Sequence, residues 1–487
     1  MYKRHDSNGW INLNDPYKKS WQILFAIALG STMVPINASL VNVSLPTITE
    51  FFNTTLVLSE WVLTSYLITL LGFVLFFGRL GDFWGHERLY LIGLVGFVSV
   101  SILCTFAPSI QFLILFRGLQ GFVAAMMLSV SMGIIKKSFP TYMLGRALGI
   151  YAVAVAAGMA LGPAIGGVLD AALGWRAIFL VNVPAGVLSF LLCYRVLKRG
   201  ETKEVKWDIP GMLLEFACLF TVVFLLNYVT LTSLNIETVL MVVFVVATFL
   251  LFVRRENRVK DPMLNLSLFK NTSFSAYNLS LHFNYICMYM IIFVMPFYLQ
   301  KVLHLTANTT GLVLTAAPII MMVLAPVSGS LSDRLGSRLL SFTGALICAA
   351  ALYSMTQLTT SSSAFDVFLR LAIFGVGTAI FQSPTNRAIM ARVPMGQAGV
   401  ASGILVTMRN LGMVFAVCYA GILLSTTISP ELLKLHQLFS LDAYNFTLGM
   451  HFVVTFAALL SILMAVLSIL GLGTQRIKKE VAERVLD

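Results

Sequence analysis

Charged residues are scarce in this chain of 487 residues. They make up 11% of it, whereas hydrophobic residues make up 58%, and the mean hydropathy is +0.88. Soluble domains carry charge on about a quarter of their residues. A composition this poor in charge therefore excludes a soluble globular protein.

The motifs of enzymes and ATP-driven pumps are also missing. The sequence contains no P-loop G-x-x-x-x-G-K-[ST] and no zinc motif H-E-x-x-H, and its six histidines are scattered. Its six cysteines stand singly, without the spacing of a metal or redox site. We expect no cofactor, no metal and no enzymatic activity. No cleavage site follows the first apolar run, so we expect that run to remain as a membrane span.

Long apolar runs occupy most of the chain. A helix needs roughly 20 apolar residues to cross a bilayer, and the alternation typical of a membrane β-barrel is absent from the sequence. The sequence therefore predicts an all-α integral membrane protein with fourteen transmembrane helices. The expected spans are 21–45, 58–78, 89–107, 111–133, 144–168, 177–195, 209–230, 236–254, 274–300, 309–331, 339–358, 366–390, 398–424 and 449–471.

A charged turn occurs twice. Gly78–Leu89 and Gly329–Leu340 share the pattern G-x-L-x-D-x-x-G, displaced by 251 positions. Pro46 and Pro296, and Arg117 and Arg370, keep nearly the same offset. A constant offset over many elements indicates an internal duplication. It predicts two six-helix bundles, with spans 7 and 8 as an inserted two-helix hairpin.

This organisation predicts five segments. They are a cytoplasmic tail (1–20), an N-terminal bundle (21–200), the inserted helices (201–260), a C-terminal bundle (261–472) and a second cytoplasmic tail (473–487). Within the C-terminal bundle, 425–448 has the pattern of an amphipathic helix at the outer interface or of a lid.

The net charge of +12 comes from basic residues concentrated in alternate loops and both termini. This bias is the positive-inside rule, which places both termini in the cytoplasm and excludes a nucleic-acid-binding surface.

Ionisable residues inside spans cost at least ~2.5 kcal/mol each near the bilayer centre, so they usually face a cavity or a partner. Arg117 and Arg409 lie deepest, and we expect them to face a cavity. Arg370 lies near a span end and His451 at the outer start of its span, where we expect an interfacial or structural role. Glu215 is also near a span end, where its side chain can reach the interface. His282 fits either a proton site or a neutral packed histidine.

Several motifs together resemble the major facilitator superfamily, and within it the fourteen-span drug:proton antiporter branch. They are Gly78–Leu89, Gly329–Leu340, Leu113–Gly121, Gly158–Gly167, Asn42–Pro46, Trp175–Pro184, Tyr298–Gln300 and Arg409–Gly412.

The resemblance implies two bundles that rock about a central cavity in alternating access. It implies a conformational latch on one membrane side, built from Asp82, Arg88, Asp333 and Arg338. It also implies a kinked, closely packed span 5 at Gly158, Gly162, Pro163 and Gly166.

One residue departs from the pattern of that branch. Span 1 usually carries an aspartate five residues before Asn42, and this chain has Asn37 there. Asparagine cannot bind and release a proton, so Arg117 and its neighbour Gln120 lack an acidic partner in span 1. Coupling has then moved to Glu215, His282 or the latch carboxylates, or the protein is not driven by protons in the usual manner.

The cavity-forming spans offer arginines but no deep carboxylate, which favours a neutral, amphipathic or anionic substrate over a dication. Adaptable lining side chains would be Met33, Tyr285, Met288, Tyr289 and Phe293, although each is also ordinary packing material.

The expected function is a secondary active exporter of amphipathic small molecules in the cytoplasmic (inner) membrane, of the multidrug efflux and antibiotic resistance type. Its partners are its substrate, protons and membrane lipids, and the expected state is a monomer. The alternatives are an exporter of a lipid-like, anionic or neutral metabolite with altered or absent proton coupling, and a non-transporting membrane sensor.

Overall fold

The computed structural model describes residues 18–197, 209–229, 235–259, 266–393, 398–427 and 440–470. Within these ranges the chain is helical and contains no strand. Twelve helical segments are long and apolar enough to cross a membrane, and two more contain the shorter apolar stretches Leu58–Val74 and Leu213–Leu226. The all-helical membrane fold predicted from the sequence is confirmed.

The first half of the molecule runs from α1 to α7. Its helices are α1 Lys18–Phe51, α2 Leu56–Trp84, α3 His86–Thr105, α4 Ile110–Ser138, α5 Thr141–Leu173, α6 Ala177–Leu180 and α7 Asn182–Val196. Two further helices follow, α8 Ile209–Val229 and α9 Ile236–Glu256.

The second half begins with a short 3-10 turn, Leu266–Lys270. It continues as α10 Thr272–Phe297, a π-helical turn Tyr298–Val302, α11 Ala307–Leu314, α12 Ala316–Leu335, α13 Ser337–Met355, α14 Ala364–Met390, α15 Ala398–Ser425 and α16 Ser440–Leu470.

Each charged turn is a single glycine between two helices. Gly85 joins α2 to α3 with φ of 94°, and Gly336 joins α12 to α13 with φ of 79°. Glycine adopts positive φ without the steric cost that other residues meet. The repeated sequence pattern thus produces the same tight reversal in both halves. We call the end of the bundle that carries these reversals the turn end, and the other end the opposite end.

The packing repeats as the sequence does. Helix α2 packs on α4 and α12 on α14; α3 packs on α4 and α13 on α14; α1 packs on α5 and α10 on α15. The two halves meet along three lines, where α1 contacts α10, α2 contacts α15, and α5 contacts α11 and α12. Helix α8 packs against α9, α2 and α15, so it lies where α2 and α15 join the halves.

Two helices of the second half differ clearly from the sequence expectation. Helix α16 begins at Ser440 rather than 449, because buried positions at Ala443 and Phe446 continue its helical periodicity. The span expected at 309–331 is broken at Thr315, since Pro318 has no N–H to continue the helix across this point. Residues 1–17, 428–439 and 471–487, which hold the expected tails and the middle of the amphipathic segment, lie outside the described residues.

Candidate functional site

Arg117 of α4 is fully buried between helices of the first half. Its Nε donates to the Val62 carbonyl at 2.9 Å, and its Nη1 donates to Asn37 Oδ1 at 2.5 Å and to Gln120 Oε1 at 2.7 Å. The guanidinium carbon lies 4.2 Å from the ring centroid of Tyr66. The cation is therefore held by neutral oxygen atoms and an aromatic face, not by a carboxylate.

A second layer of contacts fixes this network. Gln120 Nε2 donates to Ser101 Oγ of α3 at 2.8 Å, which leaves Gln120 Oε1 facing the arginine. Asn37 Nδ2 has no hydrogen-bond partner in the described part of the chain. Asparagine at position 37 thus presents its oxygen to Arg117 and leaves its amide free to donate.

A cavity of about 10 Å³ lies beside Arg117, where the two halves meet. Its lining residues come from α1, α2 and α4 on one side and from α10 and α15 on the other: Ala38, Asn42, Leu63, Tyr66, Leu67, Arg117, Tyr289 and Val417. That volume holds about one water molecule, whereas drug-sized ligands need about 300–1,000 Å³. The cavity is therefore nearly closed in this conformation.

Arg409 of α15 supplies the corresponding cation from the second half. It interacts with the hydroxyl of Tyr285 and lies close to Tyr289. It also interacts across the interface with Tyr151 of α5. The Nε atom of Arg409 has no hydrogen-bond partner among the described residues. Two arginines and a set of tyrosines thus line the junction, and none of the cavity-lining residues is acidic.

Three contacts between the halves close the opposite end, and we call them the opposite-end seal. In the first, Lys301 Nζ lies 2.8 Å from Glu50 Oε2, and Gln300 Nε2 donates to the Val43 carbonyl at 2.9 Å. Lys301 is 3% exposed at its side chain, so this ion pair is desolvated on the lysine side. It sits in the π-helical turn that follows α10.

The second contact joins α5 to α11. Gly167 and Gly311 face each other so closely that a Cβ on Gly167 would collide with the Ala307 carbonyl, and one on Gly311 would collide with the Pro163 carbonyl. Only glycine allows this approach of two backbones. The third contact joins α2 to α15, where the Glu60 side chain packs against Gly421.

Other residues expected at the cavity lie elsewhere. His282 Nδ1 is 3.0 Å from the Met408 carbonyl and therefore donates to it, which links α10 to α15 inside the second half. Met33 packs beside Gly186 of α7, inside the first half. Met288 and Phe293 are buried in the core. Of the five expected lining residues, Tyr289 alone appears in the lining of the small cavity.

Glu215 lies outside the junction of the halves. It is 5% exposed on α8 and interacts with Glu256 at the end of α9. Arg370 donates to the Ser354 carbonyl at 3.0 Å, and His451 Nε2 to the Leu358 carbonyl at 2.8 Å.

The expected kink residues lie in a continuous α5. Gly158 and Gly162 pack against Thr32 and Ser39 of α1, Gly166 against Leu40, and Pro163 meets α11. Of the expected latch, Arg88 and Arg338 are exposed at the turn end. The side chains of Asp82 and Asp333 lie outside the described atoms.

Sequence reasoning missed Glu60, the ion pair of Glu50 with Lys301, and Tyr66. Glu60 follows Ser59 at the beginning of an apolar run, where a charged residue indicates the end of a membrane span. Its burial depends on Gly421, which is remote in sequence.

Comparison with known proteins gives a consistent result. The Major Facilitator Superfamily profile matches residues 27–417. The chain is 31% identical over 404 residues to "Riboflavin transporter RibZ" of Clostridioides difficile, covering 82% of this chain and 88% of that protein. It is 31% identical over 413 residues to "Multidrug resistance protein Stp" of Mycobacterium tuberculosis, covering 84% and 76%.

Among solved structures, the fold is similar to a bacterial homologue of the human lysosomal transporter Spinster in an inward-facing conformation. The TM-score is 0.70 at 16% identity, over 94% of this chain and 97% of that one.

Proposed function

Because the chain belongs to the major facilitator superfamily and is a multi-pass membrane transporter, we propose that it is a secondary active exporter of amphipathic small molecules. The family predicted from the sequence motifs is confirmed. To this family assignment we add the proposal that the protein exports its substrate by alternating access. Relatives named for drug resistance support this direction of transport.

One observation carries the proposal. A closed cavity lies where the two homologous halves meet, and both halves contribute its lining. The opposite end is sealed by contacts between the halves, among them the Lys301–Glu50 ion pair. Opening the cavity toward the opposite end requires these contacts to break, which is one of the two rearrangements that alternating access demands.

The substrate class follows from the side chains at the junction. Arg117 and Arg409 attract anions and polarised carbonyl groups, and Tyr66 and Tyr289 offer faces for aromatic rings. A dication would find no carboxylate in the cavity lining. The proposed substrates are therefore neutral or anionic aromatic amphiphiles. The name of the RibZ relative, a riboflavin transporter, supports this class.

In the proposed architecture the chain crosses the membrane fourteen times. Helices α6 and α7 together form one crossing, as do α11 and α12, and α8 and α9 form the inserted hairpin. Both termini are cytoplasmic, so the turn end faces the cytoplasm and the opposite end faces outward. Inward proton movement drives export, with about 2.3 kcal/mol per charge at 100 mV. The protein acts as a monomer.

Asp82, Arg88, Asp333 and Arg338 form the cytoplasmic latch in this proposal. Both reversals place these residues beside a helix start, where a carboxylate can accept from free backbone N–H groups in one state and release them in the other. Gly158, Gly162 and Gly166 let α5 slide on α1.

A second candidate is an exporter with altered or absent proton coupling. The Asn37–Arg117 hydrogen bond favours it, because the position that carries an acid in similar transporters holds a neutral amide here.

Transport in proteoliposomes separates these candidates. Riboflavin, which is fluorescent and uncharged, serves as the neutral aromatic probe and ethidium as the cationic one. We expect a pH gradient, acidic on the outward side, to accelerate riboflavin export at least several-fold, and to leave ethidium unmoved. Glu215→Gln and His282→Ala should keep the acceleration. If the wild type ignores the gradient, proton antiport is wrong; if it moves neither probe nor an anionic analogue, export of this class is wrong.

A further inference from the structure

Glu60 is a carboxyl group buried inside the opposite-end seal. It lies in the second turn of α2 and is 1% exposed. Its carboxylate packs on Gly421 of α15 so closely that any Cβ at position 421 would collide with both oxygens. Its Oε1 atom has no hydrogen-bond partner in the structure as described. The seal between α2 and α15 thus closes over a carboxyl group that makes no ion pair with any described residue and whose Oε1 atom lacks a hydrogen bond.

The carboxyl group also lies next to the cavity. Leu63, three residues further along α2, and Val417, four residues before Gly421, both line the cavity. Positions three and four apart share one face of a helix. The Glu60–Gly421 contact is therefore one helical turn beyond the cavity, on the side of the opposite end.

Among the described residues, no charged side chain pairs with Glu60. The elements packed against α2 are α1, α3, α4, α8 and α15. Away from the turn end, the titratable side chains described on these helices and on α2 are Glu50, Tyr66, Cys104, Arg117, Glu215, Cys218, Tyr228, Arg409, Cys418 and Tyr419. None of them forms a hydrogen bond or ion pair with Glu60. Arg117 is held by Val62, Asn37 and Gln120, and Glu50 pairs with Lys301.

The closed seal is therefore more stable with a neutral Glu60 side chain than with an ionised one. An ionised carboxylate buried without a partner loses its hydration and gains nothing in return, whereas the neutral acid buries only a hydroxyl and a carbonyl. When α2 and α15 separate, water reaches Glu60 and the ionised form regains its hydration. Closure is thus linked to binding of one proton.

We propose that Glu60 is the proton-binding residue of this transporter and that the opposite-end seal closes when its carboxylate takes up a proton from the outward side. The O–H bond forms while α2 and α15 are apart. It breaks after closure, when the proton passes to water in the adjoining cavity and leaves toward the turn end, and the ionised carboxylate that remains favours reopening of the seal. Glu60 thereby takes the place of the acid that Asn37 does not supply. This inference rests on the proposed proton-coupled export.

The test measures closure itself, without substrate. Spin labels are placed on the full chain in lipid nanodiscs, at Leu58→Cys and Thr426→Cys in a background without the native cysteines. Both positions are exposed, at the outer ends of α2 and α15. Pulsed electron paramagnetic resonance measures the distance between the two labels from pH 5 to pH 9. The ratio of the short-distance to the long-distance population is the ratio of closed to open protein.

We expect the ratio of closed to open protein to fall as the pH rises, by up to about ten-fold per pH unit over the range in which the open protein has lost the proton and the closed protein keeps it, as linkage to one proton requires. Glu60→Gln, which mimics the neutral acid, should remain closed throughout. Asp170→Asn is the matched control, since Asp170 is also buried but bonds to Thr47 within one half; it should titrate like the wild type.

A wild type with a constant ratio, or a Glu60→Gln variant that titrates like the wild type, would overturn the proposal. If Glu60→Gln does not assemble, Gly421→Ala replaces it: the added methyl opposes closure, so the midpoint should move to lower pH, and an unmoved midpoint contradicts the proposal. Because no substrate is present, the distance measurement tests Glu60 separately from export. The predicted pH dependence can be absent while the protein exports riboflavin, and export in proteoliposomes can be absent while the predicted pH dependence is observed.

Discussion

Arg117 shows how a membrane protein keeps a cation without a counter-ion. Three neutral oxygens and the Tyr66 ring solvate the guanidinium, and the oxygens accept hydrogen bonds from its Nε and Nη1 atoms. Such an arrangement leaves the positive charge uncompensated, so an anionic or strongly dipolar ligand in the adjoining cavity gains the full interaction. In the proposed function, this residue contributes to substrate selection as well as to structure.

Arg117→Lys should reduce riboflavin transport about ten- to a hundred-fold. An ammonium on a flexible stem cannot reach all three acceptors, and each charge-assisted bond is worth about 1.5–3 kcal/mol. The measurement is the initial rate in proteoliposomes, with the amount of folded protein checked by gel filtration. Arg370→Lys, at the equivalent place in the second half but 20% exposed at its side chain, is the control and should change the rate less than two-fold. Equal losses in both variants would remove the special role of Arg117.

Asn37→Asp should broaden the substrate range to cations. The new carboxylate would lie at the Arg117 Nη1 atom, neutralise it, and remove the repulsion that a cationic ligand meets beside the cavity. Growth of cells expressing the variant in ethidium, compared with wild type at equal expression, measures the effect. No gain in resistance would contradict the account of charge selection.

Single residues were the least predictable part of the site. Arg117 lines the small cavity and Arg409 lies close to Tyr289, which also lines it; the cavity-facing role expected of both arginines stays a prediction. Glu60 could not be found in this way. A charge one turn into an apolar run also fits a side chain that reaches the interface, and only the packing of α2 on α15 shows that Gly421 covers it.

At the scale of helices, the contact of α5 with α11 depends on glycine on both sides. Gly311→Ala should weaken the opposite-end seal, because its methyl would meet the Pro163 carbonyl and overpacking costs about 1–3 kcal/mol. The fraction of closed protein, measured with the Leu58 and Thr426 labels, should fall about five-fold or more. Gly149→Ala is the control in α5: nothing lies within 4 Å of a Cβ there. A closed fraction equal in both variants would show that this contact does not hold the seal.

Helix α8 is attached to the first half through aromatic side chains. Phe216, Phe220 and Phe224 stack at intervals of 6.1 and 6.2 Å along it, and Phe216 packs on Phe73 of α2 at 5.1 Å. Phe216→Ala should lower the unfolding temperature in detergent by a few degrees, as loss of about 1–2 kcal/mol of packing requires. Phe249→Ala on α9, where the ring is 54% exposed, should leave it unchanged. A shift of the same size in both would argue against docking of α8 on α2.

The all-helical fold was more predictable than the ends of its helices. The repeated turn Gly78–Leu89 and Gly329–Leu340 predicted two related halves, and α2 packs on α4 as α12 packs on α14. The break at Thr315 and the early beginning of α16 were not predicted, because both lie inside apolar sequence where hydropathy has no boundary to detect.

For the molecule as a whole, the duplication explains where the site must lie. Each half is a packing unit of its own, so rigid motion of one against the other changes the contacts between halves. These join α1 to α10, α11 and the π-helical turn, α2 to α15, and α5 to α11 and α12. The arginines, the tyrosines and the seal all lie on or beside these lines. A molecule built this way can close at one end and then at the other while both halves stay folded.

Alternating closure predicts that the two ends move in opposite senses. The most direct test measures two distances on the full chain in nanodiscs. One joins labels at Leu58 and Thr426 at the opposite end; the other joins labels at Lys136 and Leu339, which are exposed at the turn end. Across acidic and alkaline pH, with and without riboflavin, we predict that the opposite-end distance shortens whenever the turn-end distance lengthens. Two distances that change together, or that never change, would contradict the account.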